Sequence, residues 1–194
     1  DLEQLQRDAE GRVELGLGVC WLQEEFEALG IPWERRGARN DEYIAAMRAL
    51  WSGPHAEFHG NFVDFDPATC SPRPINGDIP IIVGGDSEAA LRRAVKIADG
   101  YFPGEGDAEA LGKLLRRLEL TAEANDRDPK TIEISAIFGA QMMDPANGVE
   151  QMASIGVDRI MVPAFFFAGP EGLDNLRKFA EQIMPVAREM TEAG

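Results

Sequence analysis

Apolar and polar residues alternate strictly over Val13, Leu15, Leu17 and Val19, with Gly16 and Gly18 between them. A period of two predicts a β-strand. Trp21, Leu22, Phe26 and Leu29 then suit a short helix that Gly30 ends. From Asp41 onward, Ile44, Met47, Leu50 and Trp51 form one helical stripe, with Asn40 or Asp41 placed as N-cap and Gly53-Pro54 as the stop. Residues 55–78 break this rhythm. Phe58, Phe62, Val63 and Phe65 interleave with Gly60, Asn61, Asp64 and Asp66, and Pro67, Pro72 and Pro74 follow. A β-hairpin and an extended loop are expected there, as an excursion from the main architecture.

Pro80-Ile-Ile-Val83 is a short continuous apolar run of the kind that forms buried parallel strands. Gly84-Gly-Asp-Ser87 follows, then a helix with Ala90, Leu91, Ala94, Val95 and Ala98 on one face. Asp99–Phe102 reads as a very short strand, and a helix over 108–125 buries Leu111, Leu114, Leu115, Leu118 and Ala122. Thr131–Phe138 alternates as a strand, 145–155 suits a helix ended by Gly156, Arg159–Val162 is a further strand, and 173–190 a final amphipathic helix. Five strands alternating with helices predict an α/β fold with parallel strands, as one domain over residues 1–194 without internal repeats.

Composition narrows the function classes. Hydrophobic residues make up 44% of the 194, enough for a packed core. With 34 acidic against 19 basic residues the net charge is −15, which repels nucleic acid and anionic membrane alike. The densest basic cluster, Arg35, Arg36 and Arg39, lies among Glu34, Asp41 and Glu42 and reads as a solvated, mixed-charge face. No apolar run reaches the ~18 residues of a membrane-spanning helix. Cys20 and Cys70 are far apart, and His55 and His59 lie four apart in a Gly/Pro-rich segment where that spacing does not align ligands, so no metal site is expected. No signal peptide is visible, which makes a cytoplasmic location the expectation. The length falls short of the ~250 residues typical of a complete eight-stranded α/β barrel.

Among candidate chemical groups, Gly84-Gly85-Asp86-Ser87 has the clearest logic. A strand leading through glycines into a helix offers unpaired N–H groups and a positive dipole end to an anion such as a phosphate. Arg92 and Arg93 add cations one to two turns on. The competing reading is a tight turn in which Asp86 or Ser87 only caps the helix. Gly16-x-Gly18 is half of a dinucleotide fingerprint whose third glycine is absent. Cys20 is read as a nucleophile or, more simply, as a buried structural thiol. Glu24-Glu25 suits a general base or a solvated helix surface. Phe165-Phe-Phe167 suits a loop over an apolar ligand or plain core packing. No Ser-His-Asp set or P-loop is present, and chemistry of the hydrolytic kind would lack its base.

Taken together, Gly11-Arg-Val-Glu-Leu-Gly-Leu-Gly-Val-Cys-Trp-Leu-Gln-Glu-Glu-Phe26, Ala28-Leu-Gly30, Arg36-Gly37, the Phe58-x-Gly60 hairpin, Pro80–Ser87, and Ala90–Ala94 leading to Ala98-Asp-Gly100 resemble the bacterial luciferase-like monooxygenase family. The likeness is greatest to members that use the deazaflavin coenzyme F-420. The resemblance implies a (β/α)8 TIM barrel of which this chain holds about the last five βα units, with three preceding. It implies a cofactor at the C-terminal strand ends, with its phosphate-bearing tail at Gly84, Gly85, Asp86 and Ser87 and its pocket bordered by Gly18, Val19 and Cys20. Cys20 stands where many relatives have glycine. The implied activity is hydride transfer between the deazaflavin and a small organic substrate, often in a homodimer. Catalytic residues are not named by this stretch. An FMN-dependent monooxygenase is the alternative within the class, and a non-catalytic truncated barrel that works as a dimer or beside a partner chain is the alternative outside it.

Overall fold

Parallel strands need long crossovers, and this chain supplies them as helices. The computed structural model describes residues 1–193, which fall into two units, one running from Asp1 to Asp99 and the other from Gly100 onward.

The first unit contains α1 (Leu2–Asp8), β1 (Leu15–Leu17), α2 (Gln23–Ala28), α3 (Arg36–Ser52), β2 (Ala56–His59), β3 (Asp64–Ala68), β4 (Ile81–Gly84) and α4 (Glu88–Ile97). β1 and β4 pair in parallel, with Leu15 opposite Ile81 and Leu17 opposite Val83. Ile81 and Val83 point into a core with Ile44, Trp51, Ile79 and Ala98, against which Leu15, Leu17 and Met47 pack. β2 and β3 form the expected antiparallel hairpin, with Phe58 stacked on Phe65. Its turn is tied to α3, because the Glu42 carboxylate accepts from the backbone N–H groups of Phe62 and Val63. Desolvation pushes the Glu42 carboxyl up, but those N–H groups outweigh it and hold it below its ordinary value.

α3 starts earlier than its apolar stripe suggests. The expected caps, Asn40 and Asp41, lie inside the helix, and Arg35 occupies the N-cap position with a left-handed φ of 57°. The buried Arg39 guanidinium donates to the carbonyls of Pro32 and Glu34 and so fixes the incoming chain one turn upstream. Asp41 is engaged elsewhere, paired with Arg93. The arginine cluster is therefore only partly a solvated face: Arg39 is buried and Arg36 half-buried, while Arg35 stays exposed. Arg35 and Arg39 lie over the Phe62 ring and Arg36 over Trp33 at 3.7 Å, so each cation has an aromatic face beside it.

α1 has no apolar periodicity to announce it and is held by polar contacts together with Leu2, which packs against the core. The wholly buried Trp51 donates its indole N–H to Glu3 Oε1 at 3.0 Å, and that hydrogen bond holds the Glu3 carboxyl below its usual value. Gln6, also buried, accepts from Ile75 N, while Arg7 donates to the Arg73 carbonyl.

The second unit contains β5 (Gly100–Phe102), α5 (Ala108–Glu123), β6 (Glu133–Ile137), α6 (Pro145–Ser154), β7 (Arg159–Met161) and α7 (Gly172–Ala193). β6 pairs in parallel with β5 and with β7. Asp107 caps α5 by accepting from Ala110 N, and all five residues of the predicted stripe are buried. β6 begins two residues later than its alternation suggests, because Pro129–Thr131 form a 3-10 turn capped by Asp128.

Both units use the same closing device. Asp99, just before β5, donates its N–H to the Ile81 carbonyl and accepts the Ile81 N–H on Oδ2 at 2.8 Å. Asp158, just before β7, does the same to Ile134, at 2.9 and 2.7 Å. Each aspartate closes a βα crossover by satisfying both polar groups at the start of the earlier strand, which are shielded from water. Arg48 adds an ion pair to Asp99 at 2.7 Å.

Asp158→Ala removes the acceptor of a backbone N–H at a buried position, and a loss of about 1 kcal/mol is expected from the urea unfolding midpoint, with Asp158→Asn losing less. His59 Nδ1 lies 2.6 Å from Asp64 Oδ1, and that hydrogen bond raises the His59 pKa above 6.5. A raised folded value means the contact stabilises fully below the unfolded pKa and is lost as pH rises through the folded one. Ring-proton NMR of His59 should therefore show a titration that moves down in Asp64→Asn.

Candidate cofactor site

The register of β1 on β4 sets the site. With Leu17 opposite Val83, the chain leaves both strands at the same, C-terminal, end, through Gly18-Val19-Cys20 on one side and Gly84-Gly85-Asp86-Ser87 on the other. The two segments that the family resemblance assigns to a cofactor are thus neighbours in space, although 66 positions separate Gly18 from Gly84.

On the β1 side the backbone is open. No heavy atom lies within 4 Å of where a Cβ would stand on Gly16 or on Gly18. Cys20 has φ of 56°, in the left-handed region that costs most residues energy and glycine little. That conformation accounts physically for glycine being the easier residue there. The Cys20 thiol is exposed, not buried, and donates to Glu25 Oε2 at 2.8 Å across the start of α2. Glu25 is thereby a tether for the loop, and Glu24 stays on the exposed helix surface. A buried structural thiol was the simpler expectation, and it fails because α2 buries none of its residues and leaves the loop at the surface.

On the β4 side, Gly85 has φ of 113°, and an added Cβ would meet Ala90 Cβ at 3.4 Å. Ser87 caps α4, its Oγ accepting from Ala90 N at 3.2 Å. Capping and anion binding are compatible, since one cap leaves the dipole of a ten-residue helix aimed at the turn. The expected help from Arg93 does not reach the turn. Its guanidinium is buried against α3 in the pair with Asp41, packed so closely that a Cβ on Gly37 would stand 2.8 Å from Nη2. Arg92 stays exposed and lines a shallow pocket of about 380 Å³ with Lys96 and Asp41 on the outer side of α4. The sequence signal for the Arg93 pair is Gly37 itself, a glycine near the start of a long helix.

In the second unit, Gln141 joins two strand-end loops that composition did not flag. It donates to the Gly106 carbonyl and accepts from Gly139 N, both at 3.1 Å, and the bare Cα of Gly148 lets it sit there. Phe165–Phe167 form part of a 3-10 turn after β7. Phe167 packs on Phe179 at 5.4 Å, as core packing requires, whereas Phe165 is 71% exposed and lies against Phe166 at 4.6 Å. Among the described residues, no cluster of three or more His, Cys, Asp or Glu side chains could hold a metal ion, and no helix is long and apolar enough to cross a membrane.

Comparison with known proteins agrees with this architecture. The model of the luciferase-like monooxygenase family matches residues 3–188. The chain therefore belongs to that family. Over 182 residues it is 36% identical to an uncharacterized protein of Mycobacterium tuberculosis, covering 89% of this chain and 61% of the relative. It is 30% identical to the FMNH(2)-dependent dimethylsulfone monooxygenase of Pseudomonas fluorescens, over 87% of this chain and 49% of that protein. The chain thus spans about three-fifths or less of these curated relatives. Among solved structures, an F420-dependent secondary alcohol dehydrogenase in complex with an F420-acetone adduct superposes with a TM-score of 0.75 at 15% identity, over 96% of this chain and 73% of that one. The monooxygenase RslO1 from Streptomyces bottropensis superposes with 0.72 at 21% identity, over 95% and 71%. The luciferase-like α/β fold is shared by enzymes of both cofactor types.

Ser87→Ala should cost about 1 kcal/mol of stability through the lost cap, and Gly85→Ala about 1 kcal/mol or more through the positive φ. Both are read as shifts in the thermal unfolding midpoint, and a neutral Gly85→Ala would contradict the turn geometry.

Proposed function

We propose that this chain forms the cofactor-holding part of an oxidoreductase that transfers a hydride between coenzyme F-420 and a small organic substrate. The observation that carries the reading is the parallel register of β1 on β4, which sets two glycine-bearing turns side by side at one strand end. The residues there fit such a group: open backbone at Gly16 and Gly18, a positive-φ glycine at 85, and a capped helix behind it. Gly84, Gly85, Asp86 and Ser87, backed by the α4 dipole, would take the phosphate-bearing tail through backbone N–H groups. Gly18, Val19 and Cys20 would border the ring, with the Cys20–Glu25 hydrogen bond fixing the loop. When bound, the deazaflavin supplies the hydride donor or acceptor, and the protein's part is to orient the ring and keep water from it.

The reading includes a (β/α)8 barrel, with the present chain as its last five βα units and the whole as one domain. Five of eight units is about three-fifths, in keeping with the 61% of the mycobacterial relative that is matched. A cytoplasmic homodimer is part of the same proposal. FMN in place of F-420 is the second reading, favoured by the likeness to an FMNH(2)-dependent enzyme. A partial barrel completed by a second copy or a partner chain, without catalysis, is the outcome if neither cofactor binds.

Equilibrium dialysis of the purified protein against F-420 and against FMN separates these. Saturable binding of F-420 with at least tenfold preference over FMN is expected, and Gly85→Val should weaken it by about tenfold or more, since both the turn and the anion approach suffer. Preference for FMN selects the second reading, and binding of neither overturns both.

A further inference from the structure

Trp21 is the chain's most exposed tryptophan, and nothing in the first unit accounts for its exposure. The residue is 83% exposed to solvent. The other two are satisfied: Trp51 is wholly buried and bonded to Glu3, and Trp33 lies edge-on to Phe26 at 5.1 Å with the Arg36 guanidinium over its face. Leaving so large an apolar surface in water forgoes stabilisation that burial would give. Trp21 also sits at a defined place. It follows the left-handed Cys20, two residues before the start of α2, and the Cys20–Glu25 hydrogen bond pins the backbone on either side of it. Beside it in the chain, Gly16 and Gly18 leave the strand end without side chains, so the space next to β1 is open to something flat.

We infer that Trp21 is a ring-binding residue of the site: its indole stacks on the planar ring system of the bound cofactor and shields that ring from water. This rests on the reading of the strand ends as a cofactor site and adds to it a residue that contacts the ring. Flat aromatic ligands stack on indole faces whatever their hydrogen-bonding edges, so the contact serves a deazaflavin and a flavin equally. The acidic residues of α2, Glu24, Glu25 and Glu27, disfavour a phosphate at this loop, which leaves the uncharged ring as the part of the ligand placed here.

Oxidative footprinting of the wild-type protein with N-bromosuccinimide, located by peptide mass spectrometry, tests the inference without relying on activity. Free protein should be oxidised at Trp21 well ahead of Trp33 and Trp51. At a cofactor concentration that dialysis shows to be saturating, oxidation of Trp21 should slow at least fivefold. Trp21→Leu should bind the same cofactor about tenfold more weakly with an unchanged urea midpoint, and Trp21→Phe should restore most of the affinity. Unslowed oxidation of Trp21 at saturating cofactor overturns the inference while leaving the cofactor site standing. Binding of neither cofactor in dialysis overturns the reading of the site, and the role of Trp21 with it.

Discussion

The fold depends on the parallel pairing of strands that are remote in sequence. A parallel pair has both C-terminal ends on one side, and each return crossover must run back along the sheet to the other. Once Leu17 is set opposite Val83, the glycine turns after β1 and β4 are adjacent without any direct bond between them. The register is held from within. Ile81 and Val83 must face the core formed with Ile44, Trp51 and Ala98, and a slip by one residue would turn both outward.

Around that pairing, charged groups position the helices. Arg93 joins α4 to Asp41 of α3, Arg48 of α3 reaches Asp99, and Glu42 of α3 holds the hairpin turn. Three residues of one helix thus make contact with a neighbouring helix, a crossover end and an insertion. The Arg93 pair is buried on the arginine side, where removing one partner costs more than the pair contributes, so its value lies in fixing geometry.

Much of this was legible from residue order. The five βα units, the hairpin and the stripes of α4 and α5 follow from periodicity, because burial on one face imposes a period of 2 or 3.6 on the sequence. The Gly84–Ser87 turn could be read from its glycines and its position between strand and helix. What periodicity could not show was held by polar contacts between distant residues. α1 carries no apolar stripe and docks through Glu3, Gln6 and Arg7 beside Leu2. α3 begins a turn early because Arg39 captures the Pro32 and Glu34 carbonyls, and nothing within residues 40–52 encodes that. The exposure of Cys20 was likewise hidden, since a short helix with half-apolar composition gives no sign that it buries nothing. The paired aspartates went unnoticed because the repeat consists of one residue and two hydrogen bonds, too little for sequence similarity to register.

Those aspartates have a bearing on how such a protein is put together. Asp99 and Asp158 each belong by chain order to the strand that follows, yet the backbone groups they satisfy belong to the strand that came before. The unit of self-sufficiency is therefore a strand, its helix and the linker up to and including the aspartate. A seam placed just after the aspartate leaves the preceding module with its own clasp shut, whereas a seam one residue earlier leaves it undone. Splicing, permuting or dividing chains of this type should respect that single-residue offset.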